Sequence, residues 1–431
     1  MHRAAAVRVW EVGMEPASLP VPPVSGVEYH SRLMSTAYER LIVNAEHVIP
    51  AQDLQARIEG GRRLRVKLGV DPTAPKITLG WAVPLRMLRR FQDEGHIAVL
   101  IMGDFTARIG DPSGKSETRP QLSLEQVATN AEACVAQLLD ILSEDNLEVR
   151  GNSEWLEGLD LGEVLKLTSI ATVAQMLERE DFSARFKANR PISMIEFMYP
   201  LLQGYDSVAV EADVELGGTD QLFNLLMARD LQKAYGQEPQ IALTMPLLVG
   251  LDGSAKMSQS LSNYVGIRER PEEMFGKLMS IPDHLVRQYA SLAAELAAPE
   301  VEQLGQAAAA GGPPAAAAKR RVARAVVELY AGREAATGAE AAFDRQFKLH
   351  EAPEQVAEAA IPPEALKDDQ LDLSRALALL GLAASRAEAR RLIAQGGVRL
   401  DGKTVGAEEV PVAEAAGALL QVGKRRFVRL R

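Results

Sequence analysis

A strand, a turn and a helix follow one another between Val66 and Arg90, and this stretch constrains the fold more than any other. The apolar run starts at Leu64 and breaks at 71–75, where two prolines disfavour helix in the residues before them. Helical spacing then predicts one apolar face made of Val83, Met87, Leu88 and Phe91. This succession is typical of an open α/β sheet that offers a helix N-terminus to phosphate.

Apolar strands and amphipathic helices alternate over the first half of the chain. Strands are predicted at 64–70, 97–103, 147–150 and 240–244, and helices at 123–142 and 161–177. The run 97–103 is almost wholly apolar, as a strand buried on both faces requires. The pattern predicts a Rossmann-like, doubly wound parallel sheet, with ligands at the carboxyl ends of its strands.

The 431 residues suggest two or three domains. We expect an unfolded extension at 1–34, a Rossmann-like domain at 35–265, a helical region at 266–350 interrupted by an alanine-rich loop from Gln306, a linker at 351–370 and a small α/β unit at 371–431. That last unit is basic although the whole chain carries a net charge of −10, which is typical of an RNA-binding appendage on an acidic body.

Composition excludes several classes of protein. The single cysteine, Cys134, excludes a disulfide framework and a cysteine-based zinc site. We find no apolar run long enough to cross a membrane and no convincing signal peptide, so we expect a cytoplasmic protein.

Four further motifs carry groups suited to chemistry. They are a glycine-rich segment with two carboxylates and a lysine at 103–115, a polar helical face made of Tyr199, Gln203 and Asp206, the sequence Gly-Gly-Thr-Asp-Gln at 217–221, and Lys-Met-Ser-Gln-Ser at 256–260. Each has an ordinary structural interpretation when taken singly, as a turn, a core network or a solvated loop. Together on one α/β scaffold, these motifs favour a binding site.

In this order and at these separations, the motifs resemble those of bacterial tyrosyl-tRNA synthetases, which are class I aminoacyl-tRNA synthetases. The resemblance runs from about Ser35 to Arg431 and includes the sequences VKLGVDPT, GDFTARIGDPSGKSETRP, NSEWLEGL and YPLLQGYDSVAVEADVELGGTDQLFN. The unit from Leu371 onward resembles the S4 RNA-binding module. The resemblance to these synthetases implies a helical anticodon-binding region at 266–350, a homodimer, and the substrates tyrosine, tRNA and ATP. It implies that Mg²⁺ accompanies ATP, and that the protein has neither a metal site of its own nor a tightly bound cofactor.

The resemblance also implies roles for individual residues. Asp206 is similar to the acceptor of the substrate phenol; Asp111, Tyr199 and Gln203 are similar to its ammonium site; and Gln221 is similar to the residue that orients its carboxylate. The ATP-binding residues that it implies are Asp71, Thr73, Asp220 and Lys256, and the catalytic residues are Lys115, Arg119 and Lys256. From their positions in the two signature stretches, we also expect Gly80, Trp81 and Ser258 to bind ATP and Thr78 to be catalytic.

Basic residues of the last unit are expected to bind RNA phosphates. They are Arg386, Arg390, Arg391, Lys424, Arg425 and Arg426.

Two ATP signatures depart from the family pattern. The sequence Thr78-Leu79-Gly80-Trp81 stands where a HIGH-type motif has two histidines, and Gln259 stands where a KMSKS motif has its second lysine. We expect Thr78 to donate a hydrogen bond to phosphate and Trp81 to pack on the adenine or ribose.

Three functions are compatible with the sequence. The first is ligation of tyrosine to tRNA through tyrosyl-adenylate. The second is a weakened or inactive paralogue that binds RNA or senses tyrosine, which the eroded signatures favour and the intact substrate residues disfavour. The third is aminoacyl transfer to an acceptor other than tRNA, which the C-terminal RNA-binding unit disfavours.

Overall fold

The computed structural model describes residues 36–111, 123–347, 358–423 and 426–431. The chain forms two compact units, one reaching Gly250 and including Ser254–Arg268, the other comprising Leu251–Gly253 and Glu269–Arg431. The extension predicted at 1–34 lies outside the described residues.

A six-stranded sheet forms the centre of the first unit. Its strands are β1 (His47–Ile49), β2 (Arg65–Val70), β3 (Ile97–Met102), β4 (Leu147–Gly151), β5 (Val214–Gly218) and β6 (Ile241–Met245). Their order is β1-β6-β5-β2-β3-β4, and only the edge strand β1 runs antiparallel to its neighbour. The predicted parallel, doubly wound sheet is thus confirmed. The short edge strand β1 was not predicted, because three residues are too few to show an alternation of apolar and polar side chains.

The helices of the first unit are α1 (Ala37–Leu41), α2 (Ala51–Glu59), α3 (Leu79–Asp93), α4 (Leu124–Leu138), α5 (Ser153–Leu156), α6 (Leu161–Thr168), α7 (Val173–Met176), α8 (Glu180–Lys187), α9 (Met194–Ala209) and α10 (Leu222–Ala234). Ser123 and Gln126 form the predicted capping box at the start of α4. The single helix predicted over 161–177 is wrong. Thr172 has extended backbone angles and caps α7 with its side chain, so the helical run is divided into α6 and α7.

Helices dominate residues 269–347 of the second unit. They are α11 (Pro271–Met279), α12 (Val286–Gln288), α13 (Ala298–Ala309), α14 (Gly312–Ala331) and α15 (Arg333–Phe347), with a π-helical segment at Tyr289–Ala293. The alanine-rich loop predicted from Gln306 is wrong, because these alanines are strong helix formers and continue α13 to Ala309. The break falls at Gly311, whose φ of 69° lies in the left-handed region.

The C-terminal part of the second unit is a small α/β fold. Its strands are β7 (Glu358–Ala359), β8 (Leu366–Lys367), β9 (Gln370–Asp372), β10 (Val398–Leu400), β11 (Lys403–Thr404), β12 (Glu409–Pro411), β13 (Leu419–Val422) and β14 (Arg426–Leu430), and its helices are α16 (Leu373–Leu379), α17 (Arg386–Ala394) and α18 (Val412–Ala415). Asp401 and Gly402 both have positive φ and form the predicted hairpin turn between β10 and β11.

Much of the predicted linker at 351–370 belongs to this fold. Residues 351–357 lie outside the described part of the chain, but β7 pairs with β14 and β8 pairs with β9. An acidic, proline-containing segment has low strand propensity, so the sequence did not predict these two-residue strands. They form only because each pairs with another strand of the module. We therefore propose that the module begins by Glu358.

The described helices include none that is both long enough and apolar enough to span a membrane.

Candidate active site

Polar side chains collect at the carboxyl ends of four neighbouring parallel strands. Asp71 follows β2, Thr106 follows β3, Asn152 follows β4 and Gln221 follows β5. All four line one cavity, which helix α9 closes with Tyr199, Gln203 and Asp206. The location is where an open α/β sheet binds its ligands.

The polar face predicted for α9 is present. Tyr199, Gln203 and Asp206 all lie on this helix and are buried, each exposing less than a tenth of its surface. Gly204 allows the close approach of α9 to α10, because a Cβ there would lie 3.1 Å from the Ala228 backbone.

Asp206 is the buried carboxylate of the cavity. Its Oδ1 accepts a hydrogen bond from Trp155 Nε1 at 2.8 Å, and its Oδ2 accepts one from Asn152 Nδ2 at 3.3 Å. Burial raises the pKa of Asp206 to about 6, although the Lys67 charge and these two hydrogen bonds oppose the rise. A buried carboxylate with ordered donors is suited to accept one more hydrogen bond from a hydroxyl group.

Tyr199 lies among carboxylates at the other end of the cavity. Its hydroxyl donates to Asp71 Oδ2 at 2.9 Å, while Asp71 Oδ1 accepts from Thr106 Oγ1 at 2.8 Å. Burial and then the charges of Asp71 and Asp111 raise the pKa of Tyr199 well above its ordinary value, so the phenol stays neutral. Among the described residues, no lysine or arginine lines the cavity. An anionic, cation-free end of this kind is suited to an ammonium group.

Gly103 is required by the contacts of Asp71. A Cβ at this position would lie 2.0 Å from Asp71 Oδ1 and 2.4 Å from Thr106 Oγ1. Any side chain at Gly103 would therefore displace the pair that anchors Tyr199.

The segment after β5 connects the cavity to the Lys-Met-Ser-Gln-Ser loop. Gln221 Nε2 donates to Asp111 Oδ2 at 3.3 Å, and Gln221 Oε1 accepts from the Gly218 backbone at 3.0 Å. Asp220 forms an ion pair with Lys256 at 2.6 Å. Two residues that the resemblance assigns to ATP thus neutralise each other.

A charged pair is completely buried behind Gln203. Lys67 on β2 and Glu215 on β5 are register partners, and Lys67 Nζ lies 2.9 Å from Glu215 Oε1 with both side chains fully buried. Lys67 also donates to the Gln203 carbonyl at 2.8 Å and to Ser207 Oγ at 2.7 Å, and Glu215 accepts from Gln203 Nε2 at 2.9 Å. The pair thereby joins α9 to the middle of the sheet.

The N-terminus of α3 carries the altered first signature. Thr78 is the N-cap, and its hydroxyl oxygen accepts a 3.4 Å hydrogen bond from the Trp81 backbone. Thr78 is only 1% exposed, whereas Gly80 and Trp81 are half-buried in the first turn of the helix. Thr73 is also half-buried, in the turn after Asp71.

The altered second signature crosses the start of this helix. The Leu79 amide donates to the Val265 carbonyl, and a Cβ at Gly80 would lie 3.3 Å from Met257 Cβ. Ser258 Oγ lies 2.7 Å from Ser260 Oγ, and Gln259 Nε2 donates to the Lys76 carbonyl at 2.5 Å. The two signatures are therefore in contact.

Lys115 and Arg119, which the resemblance identifies as catalytic cations, lie outside the described residues. The described part of the chain shows no group of three or more His, Cys, Asp or Glu side chains arranged to hold a metal ion.

The basic residues of the C-terminal module differ in their surroundings. Arg386 contacts Asp372 and donates to Ser374 Oγ at 3.0 Å, and Arg390 lies 2.9 Å from Glu408. Arg391 is exposed, and Arg426 donates to the Leu382 carbonyl. Lys424 and Arg425 lie outside the described residues, so the six-residue RNA interface stays a prediction.

Sequence reasoning missed several contributors to the site. Asn152 and Trp155 lie in the motif NSEWLEGL, which carried the resemblance but received no role, and Lys67 looked like one polar residue in an apolar strand. The charge of Lys67 inside a buried strand was the available signal, since an unpaired lysine is almost never fully buried.

Two family models match the chain. The model for class I tRNA synthetases (W and Y) covers residues 59–348, and the model for the S4 domain covers residues 373–414. The chain therefore belongs to the class I tRNA synthetases (W and Y).

Relatives narrow the similarity within this family. The tyrosine–tRNA ligase of Moorella thermoacetica is 50% identical, over 89% of this chain and 92% of the relative. The tyrosine–tRNA ligase of Thermotoga maritima is 46% identical, over 90% of this chain and 95% of the relative.

Solved structures share the fold. A C-terminally truncated mitochondrial tyrosyl-tRNA synthetase from Aspergillus nidulans aligns with a TM-score of 0.60 at 22% identity, covering 74% of this chain and 97% of that one. The tyrosyl-tRNA synthetase from Archaeoglobus fulgidus in complex with L-tyrosine gives 0.56 at 24% identity, covering 71% and 100%.

Proposed function

We propose that this chain is a tyrosine–tRNA ligase. The observation that supports the proposal is the cavity at the carboxyl ends of β2–β5, with the buried carboxylate of Asp206 at one end and a cluster of carboxylates around Tyr199 at the other. These ends complement a phenol and an ammonium group, the two polar ends of tyrosine other than its carboxylate. Similarity to tyrosine–tRNA ligases along about nine-tenths of the chain supports the same substrate.

The reaction proposed is activation followed by transfer. A tyrosine carboxylate oxygen forms a bond to the α-phosphorus of ATP, and the bond from that phosphorus to the bridging oxygen breaks, so that pyrophosphate leaves with the electron pair. A ribose hydroxyl of tRNA then attacks the tyrosyl carbonyl, and AMP leaves. No covalent enzyme intermediate is needed, since orientation and charge stabilisation suffice.

We assign the residues of the cavity to the tyrosine site and those near the start of α3 to the nucleotide site. Asp206 accepts the phenol, Asp111, Tyr199 and Gln203 receive the ammonium, and Gln221 orients the carboxylate. On the nucleotide side, Asp220 binds ribose once Lys256 turns to phosphate, the amides at the start of α3 receive phosphate, and Trp81 packs on the nucleotide. Mg²⁺ enters with ATP, held mainly by its phosphates.

A catalytically weak RNA-binding or tyrosine-sensing paralogue is the second candidate. The observation in its favour is the replacement of three cation-forming residues by Thr78, Trp81 and Gln259. Tyrosine-dependent exchange between ATP and labelled pyrophosphate separates the two candidates. We expect exchange with tyrosine above the level without amino acid; tyrosine and tRNA binding without any exchange would favour the paralogue.

Measuring the molecular size of the purified chain in solution would test the homodimer that the family implies.

The ionisation of Asp206 predicts the pH dependence of tyrosine use. Its pKa of about 6 lies above its ordinary value, so the carboxylate becomes protonated as the pH falls through 6 and loses acceptor strength toward the phenol. We expect kcat/KM for tyrosine in pyrophosphate exchange to fall below pH 6. The control is kcat/KM for ATP at saturating tyrosine. If both constants fall together, the responsible group lies outside the phenol site.

Removal of the C-terminal module should separate activation from charging. Because β7 and β8 pair with later strands of the module, the deletion should remove residues 358–431 as a whole. We expect pyrophosphate exchange to persist and tRNA charging to fall and become less sensitive to salt, because phosphate contacts would be lost. Charging that equals that of the full chain at every salt concentration would contradict an RNA-binding role.

A further inference from the structure

Three positions in the two ATP signatures lack their usual cation-forming side chain, and the described part of the site offers one nearby replacement. Thr78 and Trp81 stand in place of histidines, and Gln259 stands in place of a lysine. Lys256 keeps its charge, but it forms an ion pair with Asp220 at 2.6 Å. Within the described part of the two signatures, Lys256 is therefore the remaining cation for a triphosphate, and a further positive group beside them would restore charge that the three replacements removed.

We propose that Lys76 is a catalytic residue that binds the β- and γ-phosphates of ATP in place of the missing cation. The inference rests on the proposed function as far as ATP is concerned. In this proposal, a side chain outside both signatures supplies the positive charge that the signatures have lost.

The position of Lys76 follows from the contacts of its backbone. Lys76 lies two residues before Thr78, the N-cap of α3, whose free amides form an anion site. Gln259 Nε2 donates to the Lys76 carbonyl at 2.5 Å, so the residue that replaces the signature lysine is in direct contact with Lys76. The Lys76 backbone is therefore beside the residue that replaces the signature lysine, and the Lys76 side chain extends from there to Tyr264.

Within the part of the chain that the structure describes, the Lys76 ammonium group forms no ion pair with a carboxylate. The residue is exposed, and among the described residues Nζ has its polar contact with Tyr264 OH at 3.5 Å and lies 5.9 Å from the Tyr264 ring centre. A weak contact with a ring costs little to exchange for phosphate, in contrast to the Lys256–Asp220 pair. A four-carbon stem lets the charge follow the phosphates during the reaction.

The test compares Lys76→Met with Lys76→Arg in tyrosine-dependent pyrophosphate exchange. Removal of one electrostatic stabiliser costs ~10²–10³-fold in kcat at preorganised sites, and for an exposed lysine we expect a loss of at least ~10-fold. The loss should appear in kcat and in KM for ATP, with KM for tyrosine unchanged, and Lys76→Arg should retain most of the activity. Lys187→Met, which removes an exposed lysine at the end of α8, is the matched control and should behave as the unmodified chain.

A rescue variant distinguishes charge supply from local folding. Adding Gln259→Lys to Lys76→Met returns a cation to the second signature, and we expect exchange to recover. Failure of this double variant to recover, with its thermal unfolding unchanged, would overturn the proposal, as would a Lys76→Met variant equal to Lys187→Met.

Measurement of nucleotide binding tests the role of Lys76 independently of the proposed ligase activity. Lys76→Met should weaken ATP binding in equilibrium dialysis and leave AMP binding unchanged, because AMP lacks the β- and γ-phosphates. If the unmodified chain binds ATP but shows no exchange, the proposed function fails, and a selective loss of ATP binding still supports Lys76. If the unmodified chain binds no ATP, both fail.

Discussion

Asp206→Ala should abolish the preference for tyrosine over phenylalanine in adenylate formation. In the unmodified chain, bound phenylalanine would put a ring hydrogen atom next to the buried Asp206 carboxylate. The carboxylate would then accept a hydrogen bond neither from water nor from a substrate hydroxyl group. For such a site the discrimination is ~10⁵, which is the value known for a tyrosyl-tRNA synthetase. Without the carboxylate, Trp155 Nε1 and Asn152 Nδ2 lose their acceptor with either substrate, and the tyrosine hydroxyl loses the acceptor that favoured it.

The measurement is the ratio of kcat/KM for the two amino acids in pyrophosphate exchange. The ratio is its own control for a general loss of activity, because partial misfolding lowers both constants equally. We expect it to approach unity through a large fall for tyrosine. A ratio that stays near that of the unmodified chain would show that the phenol binds away from Asp206, and the assignment of the cavity ends would be wrong.

Lys67→Met should destabilise the first unit more than most single substitutions would. Lys67 and Glu215 are both fully buried, and removal of one member of such a pair leaves the other charge without compensation. The cost of breaking a buried pair is ~3–5 kcal/mol, most of it the penalty for the charge that remains. The substitution also leaves the Gln203 carbonyl and Ser207 Oγ without their donor, so KM for tyrosine should rise.

Neutralising the partner should recover part of this loss. In Lys67→Met with Glu215→Gln, neither position carries a buried charge and the new amide can still accept from Gln203 Nε2. Urea unfolding should therefore place the double variant between the single variant and the unmodified chain, with Lys187→Met as a surface control that changes the free energy of unfolding by less than ~0.5 kcal/mol. A double variant less stable than Lys67→Met would mean that hydrogen bonding, rather than the buried charge, dominates the pair.

Local patterns in the sequence determined most of the individual elements. Helical spacing placed Tyr199, Gln203 and Asp206 on one face of α9, the capping residues located the start of α4, and Asp401-Gly402 located a hairpin. These predictions held because each depends on residues within a few positions of one another, where backbone geometry decides what is neighbouring. The strands β7 and β8 were missed because two-residue strands depend on pairing rather than on period. The break at Thr172 was missed although its signal, a capping box of Thr172 with Gln175, is local.

The sequence by itself determined the family, the alternation of strands and helices, and the chemical character of the α9 face. Only the tertiary structure decided which distant groups meet: Lys67 with Glu215 across adjacent strands, Asn152 and Trp155 on Asp206, and Gln259 on Lys76. The physical reason is that periodicity reports which side of an element is buried but not what it faces. Hydrogen bonds and ion pairs act over a few ångströms, so their partners are set by strand order and loop path, which join residues 51 to 183 positions apart in these contacts.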